Sequence, residues 1–184
     1  NNLTQTNTGW TLKTPDAEVM AQWVILATNG YTGNLFGELS QTIMPITPIQ
    51  IASDSLSEEQ IGAILPEGHT ISDSRRVIMY SRREPENRLV FGGHGKMKAN
   101  GELGGFDWLI KDAERIFPTL KGADWTFRWG GNIALTADRI PHLHEPKKGL
   151  LAGLGYNGRG VAMSHVMGRV LAERVRDYLM TYWP

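Results

Sequence analysis

The chain has 184 residues, the size of one large domain or two small ones. Nineteen basic residues balance nineteen acidic ones, so no electrostatic footprint for nucleic acid or an anionic membrane surface exists, and no apolar run reaches the roughly 18–20 residues of a membrane helix. Hydrophobic residues at 41% and charged residues at 21% describe a globular chain, and the lack of cysteine excludes disulfides, thiolate nucleophiles and Cys-ligated metals.

The chain opens on Asn1-Asn2-Leu3, with neither an initiator Met nor a signal-peptide pattern, and reads as a processed product or an excised fragment. Trp10 to Lys13 alternates apolar and polar after the Asn7-Thr8-Gly9 turn, which predicts a strand, and Pro15-Asp16 predicts another turn. Trp23 to Ala27 is a continuous apolar run stopped by Thr28-Asn29-Gly30, the pattern of a strand buried on both faces. Residues 43–53 alternate around two prolines, as an edge or irregular strand does. A short helix follows, with Ser57 as N-cap, Glu58 and Glu59 in its first turn, and Pro66 beyond its end.

Val77–Tyr80 and Arg88–Phe91 flank a polar Pro-Glu-Asn turn and predict a hairpin. Phe106, Leu109, Ile110, Ala113, Ile116 and Phe117 recur at helical spacing until Pro118. Trp125 to Trp129 reads as a strand, and Leu150 to Ala152 as a short strand running into glycines. The last element is a helix from about Val161 to Tyr178, with Arg174 and Arg176 near its negative end.

Gly153-Leu154-Gly155-Tyr156-Asn157-Gly158 fits G-x-G-x-x-G after a strand and before a helix. A Rossmann fingerprint also needs a second parallel strand after that helix. The helix runs almost to Pro184, so that unit is not completed. Glycines at 153, 155, 158 and 160 nevertheless permit close approach of a flat or anionic ligand, and a helix start offers unpaired N–H groups. Gly160, Ser164, Gly168 and Ala172 form a small-residue stripe suited to close packing on a sheet. The same residues equally fit an ordinary glycine-rich turn before a tightly packed helix.

Other signals carry less. Gly92 to Lys96 lacks the Ser or Thr and the helix of a phosphate loop, since Met97 follows the lysine. His142-x-His144 lacks a third metal ligand at a familiar spacing. Ser164, His165 and Asp138 do not make a triad, because Ser164 lies inside a helix. No catalytic side chain and no metal site is assigned.

Several segments in order resemble the C-terminal half of FAD-dependent oxidoreductases of the D-amino-acid oxidase superfamily. The likeness is strongest to the γ-glutamylputrescine oxidoreductase branch, near the sarcosine and glycine oxidases. They are Val24 to Tyr31, Met44-Pro45, Tyr80-Ser81-Arg82, Asn87 to Gly93, Phe117 to Leu120, Arg128 to Asn132 with Thr136, and Gly155 to Val161. The resemblance implies an α+β fold: an antiparallel or mixed substrate-binding sheet with covering helices, plus an incomplete Rossmann-like FAD-binding portion. Residues 1–39 and 129–184 would belong to the FAD-binding domain and residues 40–128 to the substrate domain.

The implied parent enzyme oxidises the C–N bond of a small amine or amino acid by hydride transfer to FAD. An imine and then an aldehyde or keto product results, with H2O2 if O2 is the acceptor. With no cysteine, the link by which some relatives attach FAD through a cysteine near Gly131 is impossible here, so FAD is expected to be non-covalent, and Ala162 stands where a relative carries a lysine. Thr28, Gly30, Asn132, Gly155, Gly158, Arg159, Gly160 and Val161 would contact the cofactor, and Tyr80, Arg82, Arg128 and Trp129 the substrate, with Arg128 as the partner of a carboxylate. The fragment alone is expected to be inactive, to hold FAD weakly and to self-associate, and the parent to be cytoplasmic. The alternatives are a non-catalytic small-ligand-binding α+β module and an interaction or structural domain.

Overall fold

Alternation in the first twenty residues builds a meander. β1 (Asn2–Gln5), β2 (Trp10–Lys13) and β3 (Glu18–Ala21) pair antiparallel, and Trp10 is buried with its indole N–H donated to the Lys148 carbonyl at 3.2 Å. The computed structural model describes residues 2–182, with side chains to residue 177. It divides into two units, Asn1–Ile46 with Asn132–Pro184, and Thr47–Gly131. The first unit continues with β4 (Val24–Leu26), a 3-10 turn (Asn29–Tyr31), α1 (Gly37–Ser40) and β5 (Met44–Ile46).

The second unit holds β6 (Pro48–Ala52), α2 (Glu58–Gly62), β7 (Ile71–Ser72), β8 (Tyr80–Glu84), β9 (Arg88–His94), β10 (Lys96–Met97), β11 (Leu103–Gly104), α3 (Phe106–Ile116) and β12 (Phe127–Gly130). Its five-stranded antiparallel sheet has the order β12-β6-β9-β8-β7. Leu109 and Ala113 of α3 share a core with Ile49, Ile51, Leu89 and Phe91 of that sheet and with Ile61, Ile64 and Leu120. Each such large aliphatic side chain contributes roughly 1.5–3 kcal/mol by leaving water. Ser57 caps α2 in a capping box with Gln60, as the Ser-Glu-Glu-Gln spacing requires.

The chain then returns to the first unit through β13 (Ile133–Leu135), β14 (His142–Lys147), β15 (Leu150–Leu154) and α4 (Gly160–Tyr182). β15 is the centre of a mixed sheet, antiparallel to β14 and parallel to β4, and all five of its residues are buried. The architecture is the expected α+β class, with small antiparallel and mixed sheets and few helices.

Five local expectations are corrected. β4 lies at a sheet edge rather than buried on both faces, and Ile25 is 43% exposed. Residues 43–53 are irregular, as one of the two expectations had it, and not one edge strand. They split at Thr47 into β5, which pairs with β13, and β6, an inner strand whose Pro48 stands first, where its missing N–H is tolerated.

The hairpin begins at Tyr80, not Val77. Residues 73–79 form a loop closed by Asp73, whose carboxylate accepts the N–H groups of Arg75 at 3.2 Å and Met79 at 2.9 Å. The strand predicted from Trp125 starts at Phe127, because Trp125 is drawn into the core. The small-residue stripe does not face the sheet: α4 buries Met167 and Leu171, while Ser164, Gly168 and Ala172 are exposed. Close approach comes from the strand instead, since a Cβ on Gly153 would lie 3.3 Å from Leu171 Cδ1.

Candidate functional site

In the first unit, three chain segments converge at the C-terminal ends of β4 and β15. After β4 the chain enters the 3-10 turn with Asn29 at φ +43, a conformation asparagine tolerates. The Asn29 side-chain carbonyl accepts the Gly155 N–H at 3.1 Å, which ties the ends of the two parallel strands together. Thr28 and Thr32 join hydroxyls at 2.8 Å. Gly30 is buried against Asn132: a Cβ there would stand 2.7 Å from the Asn132 carbonyl, so only glycine fits. The Tyr31 hydroxyl accepts the Asn132 N–H at 2.8 Å.

The turn from β15 into α4 runs through three left-handed residues, Gly155 (φ +73), Asn157 (φ +53) and Gly158 (φ +85). A side chain at 155 would overlap Thr136 Cγ2. Asn157 donates its backbone N–H to the Ala134 carbonyl at 3.1 Å, and its side-chain carbonyl accepts the Thr136 N–H at 2.9 Å. Its side-chain amide donates to the Thr136 hydroxyl at 3.1 Å and to the Gly155 carbonyl. The Arg159 guanidinium donates to the Arg139 carbonyl at 2.6 Å, and its backbone N–H to the Tyr156 carbonyl at 2.9 Å.

Gly158, Arg159 and Val161 are exposed, Val161 to 89%. The N–H groups of Gly160, Val161 and Ala162 precede the first helical carbonyl, and the first turn of α4 has no acidic side chain. The result is an outward-facing array of donors at the positive end of a long helix. Of the eight residues expected to touch a cofactor, Thr28, Gly30, Asn132 and Gly155 meet through this network, and Gly158 to Val161 extend from it.

Beside the turn, Asp138 accepts the Ile140 N–H at 3.0 Å and pairs with His142 at 2.9 Å. The Ile140 N–H first, and His142 next, hold its carboxyl down to about 2. The His142 and His144 rings stack with centroids 5.4 Å apart, and partial burial followed by the neighbouring His142 lowers the His144 pKa. Among the described residues no cluster of three or more His, Asp or Glu could hold a metal ion. Nor, among them, is any helix long and apolar enough to cross a membrane.

In the second unit, strand register sorts the four residues expected at a substrate. Trp129 lies opposite Gln50, Gln50 opposite Gly92, and Gly92 opposite Tyr80, so these form one row across four strands on the face away from α3. Gly92 is required there because the Tyr80 ring lies where a Cβ would be. Arg82 shares that face, two residues along β8, and pairs with Glu84. Burial pushes the Tyr80 phenol up, with Arg82 opposing.

Arg128 does not join them. It lies opposite the core residue Ile51, with its guanidinium 5.9 Å from the centre of the Phe106 ring and its Nε donating to the Trp125 carbonyl at 3.3 Å. Sequence reasoning missed Gln50, Asn29 and Asn157 as site residues. Asn157 did carry a signal, an asparagine between two glycines at a strand–helix junction, where left-handed backbone is common.

The family model described as "DAO: FAD dependent oxidoreductase" matches residues 1–174. The γ-glutamylputrescine oxidoreductase of Escherichia coli (strain K12) is 31% identical over 166 residues, which are 90% of this chain and 39% of that protein. Glycine oxidase from Geobacillus kaustophilus superposes with a TM-score of 0.74 at 20% identity, covering 96% of this chain and 47% of that structure. Iminodiacetate oxidase from Chelativorans sp. BNC1 does so with a TM-score of 0.68 at 16% identity, covering 96% and 48%. The chain thus spans less than half the length of each of these proteins.

Proposed function

The chain belongs to the DAO family of FAD-dependent oxidoreductases, and from that premise we propose that the full-length protein oxidises the C–N bond of an amine or amino acid. FAD, when bound, would supply the two-electron oxidation of the carbon bearing the neutral amine. The observation that carries the proposal is the exposed Gly158–Val161 turn at a helix N-terminus, where the Gly160, Val161 and Ala162 amides precede the first helical acceptor and the first turn has no acidic side chain.

The turn would suit FAD, a cofactor that gains negative charge when reduced. Its glycines remove side-chain bulk, its amides donate, and the helix start favours an anion by up to ~2 kcal/mol in a partly buried setting. Thr28, Gly30, Asn132 and Gly155 would hold the flavin's surroundings, and Gly158, Arg159, Gly160 and Val161 would donate or make room. Tyr80, Arg82 and Trp129 would line the substrate, with Gln50 between them. Arg128 would brace the sheet from the α3 side through Phe106, rather than meet a substrate carboxylate. No side chain is assigned as a general base, because hydride transfer from a neutral amine does not require one.

The test is titration of FAD into the flavin-free full-length protein, followed by quenching of flavin fluorescence. Saturation at one FAD per chain is the expected result. Absence of saturable binding would refute the proposal.

A further inference from the structure

We propose that Asn157 is a positioning residue for the cofactor: it fixes the Gly158–Val161 amide array by pinning the turn to the Thr136–Ile140 loop. The inference rests on the flavin reading of that array and goes beyond it, because Asn157 itself faces the loop and not the donor surface. Its backbone N–H and both polar side-chain atoms are engaged: the backbone N–H with Ala134, the side-chain carbonyl with the Thr136 N–H, and the side-chain amide with the Thr136 hydroxyl and the Gly155 carbonyl. The Thr136 N–H can only donate, which fixes the side-chain carbonyl as its partner and leaves the amide for the two acceptors.

The loop it grips is itself closed. The Thr136 hydroxyl donates to the Ile140 carbonyl at 3.1 Å, Asp138 accepts the Ile140 N–H at 3.0 Å, and the Arg139 carbonyl receives the Arg159 guanidinium at 2.6 Å. The turn is therefore held on both sides of Gly158, at Asn157 and at Arg159. Between those points Gly158, with φ +85 and nothing closer than 3.9 Å to a notional Cβ, has no packing of its own to set its direction. A site that must meet developing charge needs its donors fixed before the charge appears, which is the contribution such a pin makes.

The test uses the full-length protein with Asn157→Gly, which keeps the left-handed backbone and removes every side-chain bond, and the pair Thr136→Val and Thr136→Ser. FAD affinity, the flavin midpoint potential and amide hydrogen exchange at residues 158–162 are measured beside thermal unfolding. For N157G the expected results are an FAD dissociation constant raised about tenfold or more, a lower midpoint potential and faster exchange at 158–162. T136V should move in the same direction, and T136S, which restores the hydroxyl, should return towards wild type.

A wild-type protein that binds no FAD would overturn the flavin reading and this inference with it. A wild type that binds FAD beside an N157G variant with unchanged affinity, potential and exchange would overturn this inference alone. Should N157G not fold, the Thr136 pair decides: equal affinity and potential in T136V and T136S would overturn it.

Discussion

Substituting Gly160 by leucine separates contact with the cofactor from support of the fold. A Cβ at Gly160 would meet Tyr156 Cδ2 at 3.6 Å, ordinary van der Waals distance, and Gly160 is the first residue of a regular helix. Leucine favours a helix over glycine by up to about 1 kcal/mol, so the flavin-free G160L protein should match wild type in stability to within about 1 kcal/mol. The new side chain stands among the exposed amides at 158–162. Losing one hydrogen bond to the neutral, oxidised flavin costs roughly 0.5–1.5 kcal/mol, which corresponds to FAD binding weakened about 2- to 12-fold.

Gly155→Ala supplies the contrast. Its left-handed backbone (φ +73) costs alanine roughly 1–2 kcal/mol, and the overlap with Thr136 Cγ2 about 1–3 kcal/mol more. Thermal unfolding of both flavin-free variants, with FAD titration of each, distinguishes the two roles. G160L binding FAD like wild type, or losing as much stability as G155A, would refute a cofactor role for Gly160.

Other consequences are open to simple measurement. Removing the Ser57 hydroxyl (S57A) breaks the capping box of α2 and should lower stability by about 0.5–2 kcal/mol in chemical unfolding. Asp138 is held at about 2 against an ordinary 3.8, so its contribution is present above about pH 4 and lost as pH falls towards 2. The Tm difference between wild type and D138N should therefore shrink across that window, and a constant difference would contradict the pairing with Ile140 and His142. Trp129→Ala should raise KM for the amine, whereas Arg128→Ala should leave KM unchanged and cost about 0.5–1 kcal/mol of stability through the lost stacking on Phe106. A KM raised by R128A and not by W129A would reverse that assignment.

These expectations also mark where the chain was legible as text. The α3 helix was visible because six apolar residues recur at helical spacing and Pro118 ends the pattern. The β15–α4 junction was visible because glycines interrupt an apolar run. The side of a strand that meets the core was not visible, since an all-apolar segment such as Val24–Leu26 reads the same at an edge as at a centre. Register was lost at β8, where Ser81 is the buried residue and donates its hydroxyl to the Val90 carbonyl at 2.9 Å among three charged neighbours.

Arg128 and Trp129 are adjacent on a strand, so the two-residue period alone sets them on opposite faces. The grip of Asn157 on Thr136 spans 21 positions in the chain, a pairing that only the three-dimensional structure displays.

The full-length protein is proposed to oxidise amines with FAD bound at the Gly158–Val161 turn. The measurement that bears on it most directly is anaerobic mixing of the FAD-loaded protein with primary and secondary amines and with amino acids, followed in the visible flavin absorption. The expected result is that at least one of these compounds bleaches the band, with stoichiometric conversion to an aldehyde or keto product. An FAD-loaded protein whose band survives every amine and amino acid, yet is bleached by a chemical reductant, would contradict it.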